Sequence, residues 1–393
     1  MNNKVLFLSV LSVYLDPDTL ITFIFHKTMS TSVKNPDFKH EQQPVLGILI
    51  TNLGTPDEAT TPALRRYLRE FLWDPRIVDL PRLLWWFILQ IILLIRPAKS
   101  AQAYQKIWDK DEGSPLLSIS KKQLEALRRQ LQQHIREPFV VELGMRYGNP
   151  SIGSALEKLH QANAQRVLVL PLYPQYSSST TASTFDAVAQ AVKSWRWVPE
   201  LRFVNQYHDD TNYIAALVNS IEEAWSQHDR PKKLLFSFHG TPKRFLLTGD
   251  PYHCQCQKTA RLVAEKLQLP DDQWQVTFQS IFGREEWLKP YTIETLGELA
   301  RQGVDSVDVI CPGFSADCLE TLEEIEEENR HAYEEAGGKN YHYIPALNDR
   351  TDHIEALANL VQRHCQGWSD GAGTPQDEGK RRWERAQQFG ATQ

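Results

Sequence analysis

The sequence predicts an α/β protein built as two similar lobes, each a parallel sheet flanked by helices, and three observations carry that expectation. Short β-branched runs alternate with longer amphipathic stretches, the pattern of β-α-β units. The order of landmarks along the chain then recurs once. Finally, 393 residues with 41% hydrophobic content suffice for two ordinary domains or one large two-lobed unit.

Taken in order, the strand candidates are Val45 to Asn52, Phe139 to Gly144, Arg166 to Leu172, Lys233 to Phe238, Gln275 to Ser280 and Ser306 to Cys311. Helical stretches lie at Ile119 to Ile135, Ser154 to Ala162, Tyr213 to Gln227, Gln257 to Leu267 and Ile293 to Gln302. The repeat lies in the residues just beyond the strands. Leu-Gly-Thr-Pro at 53 to 56 leads, after a long insertion, to a strand, an Arg-Tyr-Gly-Asn-Pro turn at 146 to 150, a helix and a strand running into Pro-Leu-Tyr-Pro at 171 to 174. His-Gly-Thr-Pro at 239 to 242 leads to a strand, a turn from Gly283 to Pro290, a helix and a strand running into Cys-Pro-Gly-Phe at 311 to 314. One such match is what any α/β protein shows, since Gly and Pro come after strands generally. Three in the same order favour duplication. The expected divisions are an N-terminal extension over 1–44 outside the fold, a first lobe over 45–190, a second over 191–345, a C-terminal helix over 346–366 and a mobile tail over 367–393.

At the N-terminus, Val5 to Leu15 imitates the apolar core of a signal peptide, but only Lys4 supplies positive charge, and Asp16, Pro17 and Asp18 stand where a cleavage site belongs. Met29 is therefore expected to be the true start, with a short interfacial anchor as the alternative. The C-terminal tail lacks apolar periodicity.

Composition removes several function classes. With 43 Lys+Arg against 49 Asp+Glu the net charge is −6, without the basic excess of a nucleic-acid binder, so no nucleic acid is expected as partner. The strand ends carry no dinucleotide fingerprint, phosphate-binding loop or nucleophile elbow, which argues against a nucleotide cofactor and a serine hydrolase. Five scattered cysteines do not make a disulfide framework, and a reducing, cytoplasmic setting is expected.

In open parallel sheets ligands bind beyond the carboxyl ends of the strands. There stands His239, followed by Gly240, which lets the backbone turn sharply; it can act as a base or metal ligand, or simply bond its own loop. Glu320 begins a helix after another strand. A capping box with Asp317 would explain it, yet Glu320, Glu324 and Glu327 at α-helical spacing would stack carboxylates along one face, able to attract a cation or pass protons. Leu83 to Ile95 is apolar except for Gln90 and is too short for a span of about 20 residues. A buried helix is the plain explanation; Trp85 and Trp86 with flanking cations suit a lip that meets a membrane interface or a flat apolar ligand. The hydroxyl-rich loop beyond Tyr173, with Arg146, can hydrogen-bond carboxylates of a ligand or merely satisfy its own backbone. His253, Cys254 and Cys256 make a weak metal clip.

These landmarks together resemble the ferrochelatase family, enzymes that insert ferrous iron into protoporphyrin in the last step of haem synthesis. The likeness runs from about Val45 to about Gln366. It rests on Asn-Leu-Gly-Thr-Pro at 52 to 56, Gly-Met-Arg-Tyr-Gly at 144 to 148, Leu-Tyr-Pro-Gln-Tyr-Ser at 172 to 177, Phe-Ser-Phe-His-Gly at 236 to 240, Gly-Asp-Pro-Tyr at 249 to 252 and Phe-Ser-Ala-Asp-Cys-Leu-Glu-Thr-Leu-Glu-Glu at 314 to 324, in the family's order. The resemblance implies two Rossmann-like lobes with a porphyrin cleft between them. It implies His239 and Glu320 as catalytic and metal-contacting residues, and Glu324 as the continuation of an acidic path. It implies protoporphyrin IX and ferrous iron as substrates; peripheral contact with the inner membrane is an expectation from the Leu83 to Ile95 segment itself, which could equally meet a partner protein. Candidates for holding the porphyrin are Arg146, Tyr147, Ser177, Trp287, Trp85 and Trp86. Two departures matter. Some relatives carry a second His where this chain has Cys318, so no metal relay is transferred there. Relatives with a two-iron two-sulfur cluster bind it through cysteines near the C-terminus, where Cys365 stands alone, so no cluster is expected. The competing readings are a chelatase for another metal or for coproporphyrin, and a two-lobed haem or metal carrier.

Overall fold

The structure, a computed structural model, describes residues 39–283, 285–368 and 376–391. The expectations for Met1 to Lys27 and Met29 lie outside these residues.

Eight strands form two parallel sheets of four. The first contains β1 (Val45–Thr55), β2 (Phe139–Gly148), β3 (Ala164–Pro171) and β4 (Glu200–Phe203) in the order β2-β1-β3-β4. The second contains β5 (Lys233–His239), β6 (Trp274–Gln279), β7 (Ser306–Ile310) and β8 (Asn340–Ile344) in the order β6-β5-β7-β8. The two orders are the same, so the duplication read from the strand-end motifs is present in the topology. It extends to the turns: Met145 N donates to Pro150 O at 2.6 Å, and Phe278 N donates to Pro290 O at 2.8 Å, at matching places after β2 and β6.

The helices alternate with the strands. Between β1 and β2 come α1 (Thr61–Trp73), α2 (Arg82–Ile107) and α3 (Pro115–Gln132), and between β2 and β3 comes α4 (Ile152–Gln161). After β3 a π-helical segment, Ser178–Ala182, leads into α5 (Ser183–Val192); α6 (Thr211–Trp225) crosses to the second lobe. There α7 (Lys243–Leu247), α8 (Tyr252–Lys266), α9 (Thr292–Arg301), a second π-helical segment Glu320–Asn329, α10 (Arg330–Glu335) and α11 (Thr351–His364) come in turn, and α12 (Gln376–Gln388) is last.

The central strands form because their apolar runs are covered on both faces. Ile48, Leu49 and Ile50 of β1 are completely buried, as are Leu235, Phe236 and Phe238 of β5. One hydrophobic cluster joins the lobes, containing Ile48 and Ile50 from the first sheet, Phe236 from the second, and Leu217 of α6 and Leu357 of α11.

Three boundaries differ from the sequence reading. The edge strands β4 and β8 escaped it because short, polar edge strands lack the apolar runs of central ones. Since β4 pairs with β3 from Arg166↔Glu200 to Val169↔Phe203, the first lobe continues past 190. The expected tail contains α12, rich in the helix-favouring residues Arg, Glu and Gln. The expected extension ends inside the fold. Gln42 O accepts from Asn163 Nδ2 at 3.0 Å and from Arg382 of α12 at 3.3 Å, and the His40 ring stacks on Trp383. The chain after α11 also returns to the first lobe, where Trp368 O accepts from Arg166 and Trp368 Nε1 donates to Glu200.

Candidate active site

The carboxyl ends of both sheets open on one cleft. Leu53 to Thr55, Tyr67 of α1, Tyr104 of α2 and Tyr173 line it from the first lobe. From the second come His239, Tyr252, Phe314, Cys318 and Glu320. The sequence-derived pair His239 and Glu320 therefore meets in one cavity.

His239 is the last residue of β5, and the turn behind it fixes its tautomer. Its Nδ1 lies 2.7 Å from Gly240 O. A carbonyl can only accept, so Nδ1 carries a hydrogen and, in the neutral ring, Nε2 keeps its lone pair. Gly240 is required there by close approach. A Cβ on it would come 2.8 Å from Gln279 O and 3.2 Å from the Trp287 ring. Tyr252 holds the same turn, donating from its hydroxyl to His239 O at 3.0 Å.

The acids are positioned by the end of β6. Gln279, buried, donates to Glu320 O at 2.7 Å while its own Oε1 accepts from Ser237 at 2.8 Å. Ser280 has φ of +61°, a left-handed conformation uncommon outside glycine, and that twist aims its N–H at Glu324 Oε1, 2.7 Å away. The Ser280 hydroxyl bonds the other carboxylate oxygen. Burial pushes the Glu324 carboxyl above its ordinary range, opposed by the two Ser280 hydrogen bonds and by His239 in its protonated form, and reinforced by Glu320. The π-helical winding changes the expected acidic face. With hydrogen bonds to the fifth residue each turn is wider, so residues seven apart no longer align. Glu327 leaves the row and, with Glu323, binds Lys106 Nζ at 3.1 and 2.9 Å.

The porphyrin candidates are placed less uniformly. Tyr147 is completely buried and donates to Asp74 Oδ2 at 2.8 Å, so it faces the core and not the cleft. Arg146 is engaged by the same Asp74 and donates from Nε to Ser183 Oγ at 2.6 Å. Burial alone would raise the Asp74 carboxyl; hydrogen bonds from Ser183, Arg76 N and Tyr147, with the Arg146 charge, outweigh it and hold the group low. Ser177 is buried and caps its own turn, accepting from Ser179 N, with Thr180 of that loop reaching the cleft. Trp287 backs Gly240 instead of lining the cavity. Trp85 is also buried, its Nε1 donating to Leu72 O at 2.7 Å, whereas Trp86 is 46% exposed. The segment is buried on one side and exposed on the other. Trp85, Leu89 and Leu93 form a buried stripe, and Leu83, Phe87, Ile91, Leu94 and Ile95 form an exposed apolar one. Cys256 is buried and Cys254 exposed on α8, so the weak clip does not converge.

Sequence reasoning missed Tyr67, Tyr104 and Tyr252. Tyr67 donates to Gly54 O at 3.1 Å, and position 54 requires glycine, both for its φ of +108° and because a Cβ would lie 1.8 Å from Tyr147 O. Burial, with the Glu320 charge adding to it, raises the Tyr67 and Tyr104 phenols, so both remain hydrogen donors at the cleft.

Residues 45–365 match the ferrochelatase family model. The chain belongs to the ferrochelatase family. It is 57% identical over 335 residues to a ferrochelatase of Thioalkalivibrio sulfidiphilus, covering 85% of this chain and 90% of that one. It is 56% identical over 341 residues to a ferrochelatase of Marinobacter nauticus, covering 86% and 92%. Among solved structures, SirB from Bacillus subtilis with Fe3+ superposes with a TM-score of 0.50 at 12% identity, over 84% of this chain and 99% of that one, a likeness of fold. This family member therefore has a two-lobed chelatase fold with the lobes' strand ends facing one cavity.

Proposed function

We propose that this chain inserts ferrous iron into protoporphyrin IX, forming protohaem and releasing two protons, with His239 as the base at the ring centre. The observation that carries the assignment of roles is the joint placement of His239 and Glu320 in a cleft whose other walls are largely apolar and phenolic. Metallation must remove two pyrrole protons and lead a hydrated cation to four ring nitrogens. Nε2 of His239 is the available lone pair, because Nδ1 is committed to Gly240 O. Glu320 supplies the carboxylate that attracts the cation or takes the proton onward. Glu324, held above the usual carboxyl range by burial, is suited to receive that proton at the next step. The phenols of Tyr67, Tyr104 and Tyr173 and the ring of Phe314 provide the flat, mostly apolar surface on which a macrocycle can be held.

The exposed stripe of α2 extends this reading to location. Helix α2 as a whole, 26 residues, is long and apolar enough to cross a membrane by length and composition, but its apolar run, broken only by Gln90, is thirteen residues, about 20 Å of helix against a hydrocarbon core of about 30 Å. We assign it to peripheral contact with the membrane interface, where an apolar substrate and product are most concentrated.

Anaerobic incubation of the purified protein with protoporphyrin and ferrous iron, monitored by metalloporphyrin absorbance, tests the assignment. Multiple turnovers are expected. A one-to-one spectral shift without turnover would make the chain a carrier, and faster turnover with coproporphyrin would change the substrate.

A further inference from the structure

Away from the cleft, the second lobe holds a cluster that the chelation chemistry does not use. Asp308, in the middle of β7, is completely buried. One of its oxygens, Oδ2, accepts from Trp225 Nε1 at 2.8 Å. The other, Oδ1, is buried and makes no hydrogen bond, although His342 Nδ1 lies 3.3 Å away. His228 approaches Oδ2 with Nε2 at 3.7 Å. The two imidazole rings stack, their centroids 3.9 Å apart.

The tautomer of His228 is fixed as that of His239 is. Its Nδ1 lies 3.0 Å from Asp229 O, a carbonyl that can only accept, so Nδ1 carries a hydrogen and, in the neutral ring, Nε2 is the lone pair that faces the carboxylate. Around the buried Asp308 carboxylate two half-buried ring nitrogens therefore converge, an arrangement that a shared cation would hold together. We propose that His228, Asp308 and His342 form a second divalent transition-metal site, of the Zn2+ or Fe2+ class, separate from the chelation centre.

The chemistry of the set supports this. Two neutral imidazoles and one carboxylate are a common donor set for these ions, and the three donor atoms lie within 4.8 Å of one another. Ligands at about 2.1 Å from a tetrahedral ion sit roughly 3.4 Å apart, so the cluster must close by about an ångström. His342 can supply that movement, because it stands on the edge strand β8 with its side chain 43% exposed. The surroundings already do what outer partners of a metal site do: Asp229 O orients one imidazole and the Trp225 indole orients the carboxylate. Asp308 precedes Cys311 by three residues, about 10 Å of strand, so the cluster lies back from the carboxyl end of β7. An ion there would tie β7, β8 and the segment after α6 together.

The test uses the full chain carrying His239→Ala and Glu320→Gln, so that the cleft pair does not contribute, titrated with Zn2+ alone by calorimetry. One retained equivalent is expected. Adding His342→Ala or Asp308→Asn should weaken that equivalent at least tenfold. Asp308→Asn keeps side-chain shape and so decides the matter if His342→Ala fails to fold by circular dichroism. No Zn2+ bound by the parent, or unchanged binding in folded Asp308→Asn protein, would overturn the proposal and leave a proton as the positive charge between His228 and Asp308.

Discussion

Replacing Arg146 by Ala separates two physical accounts of that residue. Read from sequence, Arg146 is a candidate for binding a ligand's carboxylate. In the fold it is the charge partner of Asp74, whose side chain is 3% exposed against 17% for Arg146. Breaking a buried pair by removing one member costs about 3–5 kcal/mol, because the other charge is left uncompensated. Asp74 keeps its hydrogen bonds from Ser183, Tyr147 and Arg76 N, so the lower end, about 3 kcal/mol, is expected. The pH dependence comes from the lowered Asp74 carboxyl. A carboxyl lower in the folded than in the unfolded protein contributes stability that is present above its unfolded value and lost as pH falls through its folded value. Arg146→Ala should therefore melt several degrees lower at neutral pH, and the gap to the parent should narrow on acidification. Thermal melts between neutral and acid pH, with porphyrin titration of both proteins, read this out. An unchanged melting temperature with a large loss of porphyrin affinity would refute the reasoning and return Arg146 to the ligand.

Trp85→Ala should destabilise the protein by about 3–5 kcal/mol in denaturant melts, as a buried Trp truncation does, while Trp86→Ala should leave stability within about 0.5 kcal/mol and reduce sedimentation with anionic lipid vesicles. Equal effects of the two on folding would contradict the division of α2 into a buried and an exposed stripe. Ser280→Ala removes a hydrogen bond that holds the Glu324 carboxyl down, so that carboxyl rises further. If proton release passes through ionised Glu324, the acid limb of the rate profile should move to higher pH in that variant; an unmoved limb would take Glu324 out of the path.

Legibility in the sequence tracks burial. Strands covered on both faces, such as β1 and β5, announce themselves as apolar runs, whereas β4 and β8 sit at sheet edges and carry too few apolar residues to do so. His239 and Glu320 were legible because each comes after a strand end with turn residues beside it. Tyr67 and Tyr104 were not, since each is one aromatic on an amphipathic helix of the insertion after β1, and only packing turns it toward the cleft. Arg146 and Tyr147 were misplaced for a related reason. Their partner Asp74 stands more than seventy residues upstream, and nothing local to either motif signals the pairing. Glu327 was misplaced because spacing arguments assume α-helical turns, and Glu320–Asn329 winds wider.

The central claim is that Nε2 of His239 takes the pyrrole protons. It is tested most directly by comparing His239→Ala with the parent in anaerobic metallation of protoporphyrin by ferrous iron, with porphyrin affinity measured separately by fluorescence quenching. The account predicts that turnover falls by at least two orders of magnitude, the usual contribution of a positioned base, while porphyrin still binds within a few-fold of the parent. Near-normal turnover in the folded variant would contradict it.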